Sequence, residues 1–413
     1  MEHLQQFHNI IANLLKNNNA EREAAEAQYN EVSANQRALL LYQLGVDTSV
    51  ALEVRDMCFV LLRRLMADKY DDLIKVMPNE LNALKDQLIQ FVTNEESGSL
   101  RKRVTDVLSD IARQTIDENG VQQWNTIIQF IAHCAGGTNG GLRETAMILI
   151  ENVPNIFGAN QNHLIGDIKQ INVPNIFGAN QNHLIGDIKQ MFKTSLLFND
   201  DGTVRTAAVR AYVAFVVDNE DDEPLIRQLA EMIPDVLKVC EHVTITETDD
   251  DVPLQCMVDL ATTIPKQLAP YFRQIFELCL TTASNKDKDE NYRQSSMEIL
   301  VSLCESAPAL IRKKAANYIE PLVQQCLSMM TELDDDVNAW LEVDDTEDDI
   351  EEEIVALGET SIDRIACALG PKPVFPPAYR VIGGYIQSPN WEQKHAGIFG
   401  LSTIGEGCKR QME

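Results

Sequence analysis

Residues 332–353, ELDDDVNAWLEVDDTEDDIEEE, hold thirteen carboxylates and no base, and that density is the strongest chemical signal in the 413-residue chain. Like charges at this spacing repel one another and resist burial, so the segment is expected to stay solvated until a Lys- or Arg-rich surface neutralises it. Its chemistry is Coulombic capture of cations. The capturing groups are Asp334, Asp335, Asp336, Glu342, Asp344, Asp345, Glu347, Asp348 and Asp349, with Trp340, beside Leu341, as an apolar anchor. The segment carries nearly half of a formal net charge of −28. A field of that sign disfavours long contacts with DNA or RNA and draws basic proteins or basic peptide signals, so no direct nucleic-acid partner is expected.

Groups suited to covalent or metal chemistry lack the spacing it requires. Seven histidines show neither HExxH nor metal-ligand spacing, and His395 in QKHAG reads as a packing residue. The cluster GGTNGG (136–141) lacks the Lys-Ser/Thr of a phosphate loop and reads as a turn between helices. Nine cysteines without a CxxC pair read as reduced core thiols of a cytosolic or nuclear protein. No catalytic residue, metal ligand or cofactor is expected, and no enzymatic activity. The start, MEHLQQFHNI, has no basic stretch followed by an apolar core, and no apolar run reaches the ~18 residues of a membrane span. The sequence therefore predicts a soluble intracellular chain without membrane insertion.

The elements that must position the acidic segment follow from a recurring pattern: an apolar residue, then Arg, Lys, Gln or Asp, two variable residues, and usually a small one. It appears as VRDMC (54–58), LRKRV (100–104), LRETA (142–146), VRTAA (204–208), LQCMV (254–258), YRQSS (292–296), IDRIA (362–366) and QKHAG (393–397). The second positions are 46, 42, 62, 50, 38, 70 and 31 residues apart, centring on the roughly 40–47 residues of a HEAT-type helix pair. Both long intervals have visible causes. NVPNIFGANQNHLIGDIKQ occupies 152–170 and recurs unchanged at 172–190, so removing one 20-residue copy shortens 62 to 42; removing the 22 residues of 332–353 shortens 70 to 48.

The fold class predicted is all-α: a HEAT-repeat α-solenoid, a curved superhelix of about nine helix pairs, each burying its apolar face only against its neighbours. The first pair is placed at about 3–16 and 20–34, and later second helices begin near 50, 99, 139, 202, 251, 290, 354 and 389. Ser99, Asn139, Asp201, Asp251 and Ser388 are their expected caps, with Pro389 in a first turn. Pro154, Pro265, Pro308 and Pro371 end second helices, while Pro78, Pro234, Pro321 and Pro376 sit early in first helices and predict a repeated bend. The expected division is repeats 1–3 over 1–120, repeats 4–7 and the first helix of repeat 8 over 121–330, an acidic loop over 331–353, and the rest of repeat 8 with repeat 9 over 354–413. The duplicated block at 151–190 is expected to add a surplus surface helix or a longer connection. MEHLQQ reads as a true start, whereas Ile398, Leu401 and Ile404 are left without a following repeat, which suggests a fragment or a shortened relative of a longer protein.

FVLLRRLMADKYDDL (59–73), LRKRVTDVLSDIARQTIDENGVQQW (100–124), GLRETAMILIENVPNIFG (141–158), the acidic stretch and NWEQKHAGIFGLSTIGEGCKRQME (390–413) resemble the N-terminal part of importin-β type nuclear transport receptors, nearest the importin 5 (karyopherin-β3) branch. The resemblance implies nuclear import, with the chain in cytoplasm and nucleus and at the nuclear pore or envelope. It implies Ran GTPase in its GTP form as a partner of the early second helices and of an acidic loop in repeat eight, where the spacing places 332–353. It also implies basic cargo on the concave face and nucleoporin Phe-Gly repeats outside, with the receptor a monomer. On the early second helices Asp56, Asp106 and Asp110 are then the candidate partners for basic GTPase surface, with Arg63, Arg64, Arg101 and Arg103 nearby. The alternative from another class is a HEAT scaffold, such as a phosphatase-type assembly subunit, without nucleotide switching.

Overall fold

The computed structural model describes residues 2–158, 184–198, 201–247, 251–333 and 353–412, and these are helical apart from turns and the connection 115–124, which holds an isolated antiparallel bridge between Ile116 and Gln122. The acidic residues singled out above, Asp334 to Asp349 with Trp340, lie outside the described residues. The chain divides into two compact units, residues 1–218 and 219–413.

The first unit contains five helix pairs: α1 (Glu2–Leu14) with α2 (Asn19–Glu31), α3 (Ala34–Val46) with α4 (Leu52–Val76), α5 (Pro78–Asn94) with α6 (Gly98–Gln114), α7 (Asn125–Gly136) with α8 (Gly140–Asn152), and α9 (Leu184–Leu196) with α10 (Gly202–Asp218). In the second unit the first helix is broken in three of the four pairs. Here α11 (Glu223–Leu229) and α12 (Ile233–Thr246) precede α13 (Val252–Thr263); α14 (Pro265–Leu268) and α15 (Phe272–Ser284) precede α16 (Glu290–Ser306). Next, α17 (Pro308–Lys314) and α18 (Ile319–Met329) precede α19 (Glu353–Leu369), and α20 (Pro371–Gln387) precedes α21 (Trp391–Thr403). A last helix, α22 (Gly405–Met412), packs on α19 and α20. The described residues thus form nine pairs in an all-α HEAT-type array, and second helices pack on second helices within each unit: α4 on α6, α6 on α8, α8 on α10, α13 on α16 and α16 on α19.

The amphipathic stripes explain the stacking. Val54, Cys58, Phe59, Leu62, Leu65, Met66, Tyr70 and Leu73 are buried on α4, mostly at three- and four-residue spacing, while α6 is flanked on both sides and buries more than a full turn from Val107 to Ala112. Close approach of α19 to α18 requires Gly358, where a Cβ would stand 2.6 Å from the Cys326 carbonyl oxygen. Gly407 likewise lets α22 reach the backbone of Ala366, which buries Ile404. The sequence reading left Ile404 uncovered because it did not anticipate α22; Ile398 does remain 60% exposed.

The recurring second-position arginine has a defined job. Arg55 donates to the Gly45 carbonyl (2.8 Å), Arg101 to Glu95 (3.0 Å), Arg143 to Gly137 (2.8 Å), Arg205 to Phe198 (2.9 Å) and Arg293 to Ala283 (3.1 Å). Each carbonyl belongs to the C-terminal end of the first helix of the same pair. There the last carbonyls have no intrahelical partner and the helix dipole favours a cation. Two of these arginines also clamp the next pair: Arg55 reaches Glu95 (3.2 Å), and Arg293 grips Glu332 through two bonds (2.8 and 2.7 Å).

Prolines act in two ways. Pro154, Pro265, Pro308 and Pro371 begin the element after a second helix, at a first-turn position where the missing N–H costs little. The expected bend occurs where 3-10 turns at 230–232, 269–271 and 316–318 split first helices, beside Pro234, Pro270 and Pro321. Pro78 makes no bend because it opens α5, and Pro376 and Pro377 are carried inside α20. Asn139 and Asp201 cap as expected, by accepting from Leu142 and Thr203. Ser97 rather than Ser99 precedes α6, and Asn390 rather than Ser388 caps α21, which leaves Pro389 outside the helix.

Of the duplicated block, 152–158 and 184–190 are described, and the surplus helix or longer connection expected there lies outside the described residues. Residues 152–158 of the first copy leave α8 through the turn Pro154–Phe157, and Leu184–Gln190 of the second copy open α9. The sequence that follows each copy differs. After the second copy, MFKTSL supplies Phe192, whose ring lies 5.8 Å from both Tyr212 and Phe215; after the first, INVPNI would put Asn172 and Pro174 at the corresponding places.

Arg293→Met keeps most of the side-chain volume but removes the two-bond grip on Glu332, leaving it only Lys286 (3.5 Å), and leaves the Ala283 carbonyl to Gln325 (3.0 Å). Breaking a buried pair in this way costs about 3 kcal/mol. Hydrogen exchange under mild denaturant should show protection falling in α15, α16 and α18, with α4 and α6 unchanged.

Candidate functional site: charged faces of the second helices

Of the early-helix candidates, Asp56, Arg63, Asp106 and Asp110 are brought together across α4 and α6, already held in ion pairs. Arg63 on α4 donates to Asp110 (2.9 Å) and Asp106 (3.5 Å) on α6, and Arg103 on α6 returns a bond to Asp56 on α4 (2.9 Å). Lys102 then reaches Glu144 on α8 (2.8 Å), and Arg210 on α10 reaches Glu151 (2.6 Å). Asp110 is only 5% exposed and is also held by Arg113. Its charge acts on the surface through the arginines bound to it. Arg64 is exposed and makes no ion pair among the described residues, whereas Arg101 is occupied as a helix cap.

The second unit presents a groove of about 850 Å³ across α13, α16 and α19. Asp259, Glu298 and Gln255 supply polar groups, and Val258, Ala356 and Leu357 supply apolar wall. Arg364, one turn beyond the groove residue Thr360, forks onto both oxygens of Glu298 (2.7 and 2.8 Å) and onto Glu305 (2.9 and 2.7 Å). The acidic segment is tied to this region at both ends. Glu332 is held by Arg293 and by Lys286 (3.5 Å), and α19 begins at Glu353, three residues before Ala356.

Sequence reasoning missed Asp259, Glu298, Arg364 and the Arg293–Glu332 clamp. The available signal was Glu298 and Glu305 seven residues apart on one helix face, with an arginine in the next repeat. Other expectations are met locally: GGTNGG links α7 to α8, and His395 stacks on Phe399 at 4.7 Å. Eight cysteines are buried and Cys367 is exposed, and burial pushes the Cys58, Cys134, Cys279 and Cys304 thiols up to about 12. Among the described residues no helix is long and apolar enough to cross a membrane, and no group of three or more His, Cys, Asp or Glu is placed to hold a metal.

Residues 96–172 and 171–278 match the family described as IPO5-like, TPR repeats, and 285–376 match the importin repeat. The chain belongs to the importin-β family, in its importin-5 branch. The break in the first match falls inside the duplicated block, where this importin-type chain carries its extra 20 residues. It is 25% identical to importin subunit beta-3 of Saccharomyces cerevisiae over 333 residues, covering 79% of this chain and 28% of that protein. It is 21% identical to a probable importin-5 homolog of Dictyostelium discoideum over 417 residues, covering 99% of this chain and 36% of the relative. The structure of Kap121p bound to RanGTP is similar with a TM-score of 0.79 at 22% identity, over 99% of this chain and 37% of that one, and Kap121p is also solved bound to Pho4p. The chain thus spans well under half the length of these relatives.

Two carboxylates of this importin-type surface titrate in opposite directions. Burial pushes Asp106 above the ordinary range, outweighing Arg63 and the Asn152 hydrogen bond. Burial also acts on Glu298, but the Arg364 fork and the Ser302 hydroxyl outweigh it and hold that carboxyl below the ordinary range. A lowered folded pKa adds stability that is present above the unfolded value and lost as pH falls through the folded one; a raised one makes ionisation costly as pH rises. Relative to the unmodified chain, Glu298→Gln should therefore be less stable at pH 7, and Asp106→Asn equal or more stable. Both differences should shrink towards pH 3 in thermal unfolding measured across that range.

Proposed function

We propose that this chain serves nuclear protein import, binding Ran in its GTP form and basic cargo on the faces of its second helices. The observation that carries the reading is the setting of the acidic segment. It joins α18 to α19 within the eighth pair, is tied at Glu332, and runs into the helix whose first turns line the Asp259–Glu298 groove. Carboxylates at this density, in a segment that leads into a helix lining a groove of the same sign, draw Lys- and Arg-rich segments and steer their approach. The captured segment is basic cargo or the basic surface of the GTPase, with Asp334, Asp335, Asp336, Trp340, Glu342, Asp344, Asp345, Glu347, Asp348 and Asp349 as contacts. That Kap121p is solved with RanGTP and with Pho4p supports assigning both partner types.

On the early helices Asp56, Arg63, Arg64, Asp106 and Asp110 form the proposed GTPase-facing set. A partner there exchanges ion pairs with an existing network, so Arg64 and the partly exposed Asp56 are its first points of contact. The outer face supports nucleoporin Phe-Gly docking, since a cleft of about 510 Å³ between α12 and α15 has Ile245, 70% exposed, among its lining residues. The function places the chain in cytoplasm and nucleus, with passage at the nuclear pore, and requires no catalysis.

Immobilised chain should retain Ran loaded with a non-hydrolysable GTP analogue and not Ran·GDP, with Arg64→Glu weakening retention. Equal or absent retention of the two forms removes the assignment. Replacing the nine acids of 334–349 by Asn or Gln should weaken capture of a lysine-rich peptide by about tenfold or more and flatten its salt dependence.

A further inference from the structure

The two carboxylates of the α13–α16–α19 groove differ in state. Asp259 makes no ion pair among the described residues, whereas Glu298 is occupied by Arg364, a side chain about one third exposed that lies outside the groove lining. The bonding at Glu298 can be followed atom by atom. Among the described residues, Oε1 accepts from Arg364 Nη2 (2.8 Å) and from Ser302 Oγ (3.1 Å), while Oε2 accepts from Arg364 Nη1 alone (2.7 Å). A carboxylate oxygen offers two acceptor positions, so one position remains, on Oε2. That leaves room for the single-point donor of an ammonium and not for the parallel two-point fork of a guanidinium. Val258, Ala356 and Leu357 provide apolar wall against which a lysine stem can lie.

We infer that Arg364 is a resident cation of this groove: it cancels and orients Glu298, sets the threshold an incoming basic side chain must overcome, and biases the groove towards lysine over arginine. This rests on the basic-cargo reading above and adds a residue that tunes it. Glu305 is part of the device, because its own two bonds to Arg364 keep the guanidinium in place whether or not Glu298 has taken a second partner. Replacing Arg364 with a neutral residue frees one acceptor position on each oxygen of Glu298, Oε1 keeping Ser302, and leaves the groove more negative by one charge.

The test is fluorescence-anisotropy titration of two labelled peptides, one with alternating lysines and one with alternating arginines, at fixed ionic strength. Arg364→Gln should tighten the lysine peptide about fivefold, the scale of one partly exposed ion pair, and the arginine peptide by more. The gain should vanish in the Glu298→Gln background. Arg380→Gln, which removes the exposed pair with Glu320 on α18 and α20, controls for overall charge and should change neither affinity more than twofold. Arg364→Lys retains the charge without the fork, so it should improve arginine-peptide binding alone; its thermal midpoint provides the folding check if Arg364→Gln is unstable. The inference is overturned if Arg364→Gln binds as the unmodified chain does, if its gain persists without Glu298 or is matched by Arg380→Gln, or if Arg364→Lys keeps the original lysine-to-arginine preference. Binding of both peptides by every variant with one affinity removes the resident cation alone, whereas no binding by any variant removes the basic-cargo reading with it.

Discussion

The stacking of the pairs depends on a cation placed at the end of more than half of the first helices. An exposed helix C-terminus leaves carbonyls unpaired, and a short turn to the next helix gives them no backbone partner. In five of the nine pairs an arginine one turn into the second helix fills that need and so fixes the angle between the two helices. Because a guanidinium has five donors in a fixed fork, capping leaves others free. Arg55 and Arg293 spend them on acids in the following pair, so one side chain sets geometry both within and between repeats.

That clamp also explains how a strongly repelling acidic segment can be attached to an ordered array. Glu332, first of the thirteen acids, is bound by the nearly buried Arg293 and by Lys286, so the chain is fixed immediately before the charge accumulates. At the other end the chain enters α19, where Gly358 permits close packing on α18. The two anchors bracket the run of like charge, and repulsion within it need not be relieved by the packed helices.

Much of the scaffold was legible because its signals are local. Apolar periodicity, polar caps and post-helix prolines placed second helices near 50, 99, 139, 202, 251, 290, 354 and 389, against observed starts at 52, 98, 140, 202, 252, 290, 353 and 391. The recurring arginine was visible as a rhythm, but its reason was not, since the carbonyl it caps is ten residues away in Arg55 and Arg293 and only six in Arg143. Charge partners were less legible still. Arg364 meets Glu298 across 66 residues and Arg63 meets Asp110 across 47, and those matches depend on how far each repeat is rotated against the last. Composition identified a chain that attracts cations without showing which carboxylates were already occupied.

Occupancy is what distinguishes the two charged faces. On the α4–α6 face, Asp56, Asp106 and Asp110 each have a guanidinium from the opposing helix, and Lys102 and Arg210 continue the pairing to α8 and α10. A partner there must trade pairs one for one, so the Coulombic gain is small and recognition rests on geometry. On the α13–α16–α19 face the supply of cations is shorter: one arginine serves Glu298 and Glu305 together, and Asp259 is left with none among the described residues. That face keeps a net negative charge at close range, and a flexible basic segment gains more by binding to it than by exchanging pairs on the first. Two surfaces built from the same helix type thus differ in the ligand they favour, through the ratio of arginines to carboxylates across each helix seam.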